Sequence, residues 1–243
     1  MNYERACAKK VAKSRYLKIS PTTMGGIVPN VNQDIETKFR VAMHEVEMDG
    51  YTAPSDTRPW HRFLSAMIHI RLATPQDLDK LACIERSAAS VFRDAGLAWV
   101  ADSGTMDREA LAAMCAGNTL WVAAVQGNIP ATNGDEPVGF LGAHPLDGQF
   151  YIAEVSVARA HQRKGIGARL IKAAIDHAAR AGFPAATLTT YRDLPWNGPY
   201  YARMGFAEVP PLAVGPDHRH KLHAEAEAGH DLARRCVMTK RLA

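Results

Sequence analysis

Cysteine is scarce in this 243-residue chain: Cys7, Cys83, Cys115 and Cys236 lie far apart and form no C-x-x-C pair. That excludes a disulfide framework and a zinc knuckle, and reduced thiols in a cytoplasm are the expectation. No apolar run approaches the roughly 20 residues that span a bilayer, and the N-terminus lacks the apolar centre of a secretory signal. Charge of one sign is not concentrated either, except for Arg5, Lys9, Lys10, Lys13, Arg15 and Lys18, which have no acid among them. With a formal net charge of only +4, that run reads as a solvated tail, a targeting segment or interaction tail being the alternative, and no nucleic-acid surface is expected. Internal repeats and low-complexity tracts are absent too. What remains, 47% hydrophobic and 22% charged, is an ordinary globular composition, long enough for one catalytic domain and an appendage.

Residues 1–66 are broken repeatedly by Pro21, Gly25, Gly26, Pro29, Pro54 and Pro59 and form the appendage, with no role assigned. One helix is predicted there, over Asp34 to Met48, with Ile35, Phe39, Ala42, Met43 and Val46 on its apolar face. From Met67 the pattern becomes regular, and residues 67–243 are the expected domain. Ile68, Ile70 and Leu72 alternate with His69 and Arg71 as a strand. Thr74 and Pro75 then suit the N-cap and first position of a helix that buries Leu78, Leu81, Ala82 and Ile84. A second helix is predicted over Asp107 to Ala116. Strands follow at Leu120 to Val125, Val138 to Ala143 and Phe150 to Val157, separated by turn-forming residues. The period then changes to a helix from Gly167 to Ala181, striped by Leu170, Ile171, Ala174, Ile175 and Ala178, and then to a strand over Ala186 to Thr190. A short helix at Pro199 to Met204, a strand at Phe206 to Val209, a long segment over 210–235 and a strand at Cys236 to Arg241 complete the chain. The fold class is mixed α/β, a sheet with helices on both faces.

The segment that carries chemistry is strand, polar loop, two glycines and helix, residues 151–182. Gly165 and Gly167 permit positive φ and close backbone approach, so successive amides at a helix start can face an anion such as a pyrophosphate, with Arg163 and Lys164 supplementing them. A dinucleotide-binding G-x-G-x-x-G/A fingerprint is disfavoured, because Leu170 occupies its last position and Gly165 comes eight positions after Val157. A Walker loop is excluded for want of G-x-x-x-x-G-K-[ST].

The run Gln162-Arg163-Lys164-Gly165-Ile166-Gly167 resembles the Q/R-x-x-G-x-G/A acetyl-CoA signature of the GNAT acetyltransferase superfamily. Residues 187–206, TLTTYRDLPWNGPYYARMGF, resemble the final motif of the same superfamily, and the similarity extends over about 68–243. The resemblance implies a GNAT-like, mostly antiparallel central sheet of about six to seven strands flanked by helices on both faces. It implies that Val155, Ser156 and Val157 present strand backbone to the pantetheine arm of acetyl-CoA. Gln162, Arg163, Lys164, Gly165, Ile166, Gly167 and Ala168 would hold the pyrophosphate. Asn197 would contact the arm and Tyr201 would lie beside the sulfur.

Acetyl transfer to an amine needs an uncharged nucleophile, stabilisation of the carbonyl oxygen and a proton for the thiolate; direct attack requires no metal. Tyr201, a phenol protonated at neutral pH, is the candidate acid, with Tyr200 the alternative in another helix register. Glu154, a carboxylate in an apolar strand, is the candidate base or ammonium-binding group, and a structural salt bridge is its competing role. The strand alternation places Glu154 with Ser156, opposite Val155 and Val157. Glu85 and Arg86 on the first helix, and Trp99 and Trp196, are weaker candidates for the acceptor side. His218, His220 and His223 are dense, but Arg219 and Lys221 between them disfavour a cation and the group reads as solvated. The expected acceptor is a small-molecule amine, because the 210–235 segment is long enough to close over a pocket. An acetyltransferase for protein N-termini or lysines, a non-catalytic acyl-CoA sensor and a homodimer are all left open.

Overall fold

A computed structural model describes residues 68–125 and 135–242. The expectations for residues 1–66, including the helix over 34–48 and the basic run, lie outside the described residues.

Seven strands form one open sheet in the order β1-β2-β3-β4-β5-β7-β6. They are β1 (Ile68–Leu72), β2 (Leu120–Val125), β3 (Glu136–Leu146), β4 (Gln149–Val157), β5 (Ala185–Tyr191), β6 (Ala207–Glu208) and β7 (Arg235–Arg241). All neighbours are antiparallel except β4 and β5. The helices are α1 (Leu78–Ala89), α2 (Ala98–Ala101), α3 (Arg108–Ala116), α4 (Ile166–Arg180), α5 (Gly198–Arg203) and α6 (Pro216–Glu227). On one face, the stripe Ile166, Leu170, Ile171, Ala174 and Ala178 of α4 packs on Trp121, Leu141, Phe150, Ile152 and Leu188. On the other, Leu78, Leu81 and Ile84 of α1 and Leu111 and Met114 of α3 cover Leu120, Val122 and Phe140. Removing these surfaces from water is the main source of the fold's stability. No helix among the described residues is long and apolar enough to cross a membrane.

The first helix starts later than its Thr74-Pro75 signal suggests. Asp77, not Thr74, is its N-cap residue. The Asp77 carboxylate accepts from the Thr74 amide at 2.8 Å and hydroxyl at 2.9 Å and takes both Arg71 amino groups at 2.7 and 2.9 Å. Thr74 therefore stabilises the turn before the helix. The second expected helix forms as α3, capped by Asp107 accepting from the Glu109 amide.

The 210–235 segment departs furthest from the sequence reading, for it contains α6, which buries His218. The β3–β4 hairpin supplies the reason. Asp147 and Gly148 have φ of 48° and 71°, the primed turn that matches strand twist. From that tip Asp147 accepts from the Asp217 and His218 amides, both at 3.0 Å, and from His218 Nδ1 at 2.6 Å. A carboxylate only accepts, so Nδ1 carries the proton, and in the neutral ring Nε2 accepts from the Thr187 hydroxyl at 2.9 Å. Gly215 is required beside this cap, since a Cβ there would lie 2.2 Å from Asp147 Oδ2.

Burial acts to raise the Asp147 carboxyl, but the amide and ring hydrogen bonds from His218 and Asp217 outweigh it and hold the group below the usual carboxylate range. Asp147→Asn keeps a residue that tolerates positive φ but loses the charge, and should cost about 1–3 kcal/mol at pH 7. A depressed folded-state pKa stabilises fully above the unfolded value of about 3.9 and fades as pH falls through the folded value. The melting-temperature gap between variant and wild type should therefore close in acid; a constant gap down to about pH 2 would contradict the clamp.

Candidate active site

Strands β4 and β5 pair at only two positions, Phe150 with Ala186 and Tyr151 with Thr187. Beyond them β5 continues along β7 to Tyr191 while β4 continues along β3 to Val157. The two parallel strands thus part, leaving a wedge whose β4 side is extended backbone from 152 to 157 without a β5 partner.

A bulge decides which side chains face that wedge. Gly142 pairs with Glu154 but Ala143 pairs with Ile152, so Ala153 is an extra residue in β4. Phe150, Ile152, Val155 and Val157 all contact the α4-side core, while Ala153 packs with the α1-side cluster. Without the extra residue, Glu154 would share the face of Phe150 and Ile152 and enter the apolar layer. With it, Glu154 and Ser156 share the opposite face, where the Ser156 hydroxyl donates to Glu154 Oε1 at 2.7 Å.

At the mouth of the wedge, Arg163 and Gly165 have φ of 59° and 78°, and α4 begins with no side-chain cap. Alternate left-handed residues followed by an uncapped helix start turn several amides toward one point, which suits an anion. Gln162 braces the loop, its Nε2 donating to Val157 O at 3.0 Å and to Ala88 O at 3.4 Å. Lys164 Nζ donates back to Ala160 O at 2.9 Å. The backbone from Gly165 to Ala168, rather than these two side chains, is what the loop presents. Gly167 lets α5 approach, because a Cβ there would lie 3.2 Å from the Tyr200 hydroxyl.

Helix α5 brings Tyr201 against the α4-side core, edge-on to Phe206 at 5.9 Å. Burial, and then the charge of Glu154, push the Tyr201 phenol well above its ordinary value, so it holds its proton. Burial also raises Glu154. Glu85 on α1, whose two oxygens share the Met106 amide at 3.1 and 3.0 Å, is pushed up to about 7 by burial and by Glu154. Glu85 thus joins Glu154 in one electrostatic site, and its signal in the sequence was only an acid on the first helix.

The same face carries residues that the sequence reading missed. The Tyr151 hydroxyl donates to Thr189 at 2.8 Å, Thr189 to Glu225 at 2.7 Å, and Glu225 pairs with Arg235 at 2.9 Å. Arg235 lies 4.8 Å over the Tyr191 ring, whose hydroxyl meets His230 Nδ1 at 2.8 Å. Trp99 on α2 reaches His230 edge-on at 4.8 Å, and Phe92 touches both Tyr191 and Trp196. Arms from 92–99 and 225–235 therefore meet across this side of the wedge. Arg86 is exposed on α1 and donates to Cys83 Sγ at 3.7 Å. His220 and His223 are exposed on α6, and the described residues contain no metal-binding cluster.

Three buried side-chain polar atoms lack a partner among the described residues: Thr190 Oγ1, Trp196 Nε1 and Asn197 Oδ1. Each unanswered group costs on the order of 1–3 kcal/mol, and all three fall within residues 190–197, the end of β5 and its connection to α5. Gly198 shapes this turn, since a Cβ there would lie 2.7 Å from Arg192 O. An amide-bearing arm ending in a diphosphate fits these residues: strand backbone of β4 without a β5 partner, an orphaned amide oxygen at the start of α5, and an amide cradle at the start of α4.

The Acetyltransferase (GNAT) family model matches residues 81–206. Among solved structures, N-acetylglutamate synthase from Neisseria gonorrhoeae, complexed with coenzyme A and N-acetyl-glutamate, aligns at 19% identity and TM-score 0.51, over 72% of this chain and 35% of that one. The chain thus spans about a third of that enzyme's length. PaiA N-acetyltransferase from Thermoplasma acidophilum, in complex with coenzyme A, aligns at 16% identity and TM-score 0.50, over 72% and 98% of the two chains. An acetyltransferase of the GNAT family from Staphylococcus aureus aligns at 15% identity and TM-score 0.50, over 72% and 99%.

A Cβ on Gly165 meets nothing within 4 Å, so Gly165→Val should cost folding only the strain of positive φ, about 1–2 kcal/mol. Coenzyme A affinity, measured by calorimetry, should fall at least tenfold on the order expected when several amide contacts are displaced together. Unchanged affinity in the folded variant would remove the loop from the site.

Proposed function

The chain belongs to the acetyltransferase (GNAT) family, and from that premise we propose that it transfers acetyl from acetyl-CoA directly to a primary amine of a small molecule. The observation that carries this reading is the wedge between β4 and β5, with Glu154 beside it, Tyr201 near enough to feel that charge, and the amide cradle at its mouth.

Acetyl-CoA supplies the thioester carbonyl. Residues 154–157 of β4 and Asn197 bind its arm, and the amides from Gly165 to Ala168 bind its diphosphate. Glu154, on the face lined by Glu85, Tyr191 and Arg235, binds the acceptor's ammonium and takes one proton from it, freeing the nitrogen lone pair. As the new C–N bond forms and the C–S bond breaks, Tyr201 gives its proton to the sulfur. The proton shed by the nitrogen restores the phenol, and that taken by Glu154 passes to solvent, so the charges balance. The raised Tyr201 pKa suits an acid that must not ionise early. The two arms that meet at Trp99 and His230 favour an enclosed acceptor over a protein segment lying in an open groove. Coenzyme A release against a panel of small amines and N-terminal peptides tests the choice; activity with peptides alone would reverse it, and none with either would leave a non-catalytic acyl-CoA sensor.

Residues 67–243 form the proposed catalytic unit. A chain beginning at Ala66 should bind coenzyme A as tightly as the full chain, and loss of binding or turnover would extend the domain into the first 66 residues.

Tyr201→Phe keeps the ring and removes a hydroxyl. Single-turnover acetylation should slow about 10- to 10³-fold with coenzyme A affinity and stability little changed; a fully active variant would end the acid role. Glu154 must be deprotonated to act, and burial raises its pKa. The acid limb of the pH–rate profile should therefore lie above the ordinary glutamate value of about 4.3 and vanish in Glu154→Gln. The sign for stability is opposite: a raised folded-state carboxyl destabilises once pH exceeds its unfolded value. Glu154→Gln should thus melt above wild type at pH 8 and converge with it in acid.

A further inference from the structure

Of the three unpartnered buried atoms, Thr190 Oγ1 has no account in packing, and the resemblance over 187–206 assigns Thr190 no role. Thr190 is 2% exposed and lies on β5 three positions past its last pair with β4, Tyr151 with Thr187. In the β5–β7 ladder it stands opposite Cys236, as Leu188 stands opposite Met238. Cys236, Leu188 and Met238 all belong to the α4-side core, so Thr190 faces the side from which Tyr201 approaches. Its carbonyl accepts from Cys236 Sγ at 3.7 Å, and only the hydroxyl is unanswered. A valine would match the shape and suit the apolar neighbours, so shape alone does not call for a hydroxyl at this position.

Asn197 Oδ1, unpartnered at the start of α5, can only accept. Each amide of an acyl-CoA arm offers one N–H and one carbonyl. An acceptor on α5 and a hydroxyl donor on β5 are the complementary pair for such a chain.

We propose that Thr190 is a cosubstrate-binding residue, its hydroxyl donating to an amide carbonyl of the acetyl-CoA arm where the arm runs between β4 and β5. The inference rests on the acetyl-CoA reading above. The hydroxyl is shut from water, and a single χ1 bond sets its direction. The competing explanation is an internal water answering the hydroxyl, which would make it indifferent to ligand.

The test is calorimetric titration of coenzyme A into the full-length wild type, Thr190→Val and Thr190→Ser, with thermal unfolding of each protein without ligand. Thr190→Val should bind about 5- to 30-fold more weakly, the loss expected for one buried hydrogen bond, and should melt at or above the wild-type temperature because its unanswered hydroxyl is gone. Thr190→Ser, which keeps the hydroxyl, should bind within about threefold of wild type. Wild-type affinity in Thr190→Val would overturn the proposal and leave the acetyl-CoA reading standing, as would equal weakening in the serine variant or a lowered melting temperature accompanying the weaker binding. A wild type that does not bind coenzyme A would overturn both.

Discussion

The parting of β4 and β5 after two paired residues is the constraint on which this molecule turns. Parallel strands normally continue their ladder, since each unpaired amide or carbonyl in an interior sheet must find another partner. Here the separation is fixed from outside the pair. β3 holds β4 out to Val157 and β7 holds β5 out to Tyr191, so neither strand can bend toward the other without losing its own ladder. At the closed end, Asp147, His218 and Thr187 tie the hairpin tip, α6 and β5 together, and Tyr151 bonds across to Thr189. The wedge is closed firmly at one end and open at the other.

Features that cost stability gather at the open end. Arg163 adopts positive φ without being glycine, Glu154 and Glu85 are held together against burial and mutual repulsion, and three buried polar atoms go unanswered among the described residues. The apolar layers on both faces can sustain these costs because the sheet core, from Leu120 to Ala124 and from Phe140 to Ala143, is shut from water. Local sacrifice beside a rigid frame is the pattern expected of a site whose partner is a ligand.

The two faces of the sheet divide the chemistry. The α4 side carries the loop, α5 and Tyr201, while the α1 side carries Glu154, Glu85 and the aromatic arms. The bulge at Ala153 makes this division possible, since one inserted residue moves a carboxylate from the apolar layer to the polar face. In the same way α6 contributes through single residues, His218 to the clamp and Glu225 to the Tyr151–Arg235 network, rather than through an apolar stripe.

Much of the frame was legible in the residues themselves. Alternation and stripes marked the meander and α4 because burial imposes a period of two on strands and 3.6 on helices. Gly165 marked the loop because few other residues accept its positive φ, Gly167 marked it as a place where another group comes close, and Tyr201 stood out through its motif. The helix α1 starts later than Thr74 and Pro75 suggest, and the Asp77 carboxylate is engaged by Arg71 and Thr74 and caps no helix amide, a tertiary arrangement with no local signature. The helix α6 gave no signal because it buries so little. The wedge, the bulge, the Glu85–Glu154 coupling and the Asp147–His218 clamp were decided by tertiary structure alone. Each joins groups whose separation in sequence carries no periodic trace: 69 residues from Glu85 to Glu154 and 71 from Asp147 to His218. Sequence fixes local backbone preference and which faces avoid water, whereas the partner of a buried charge is settled only when the elements pack.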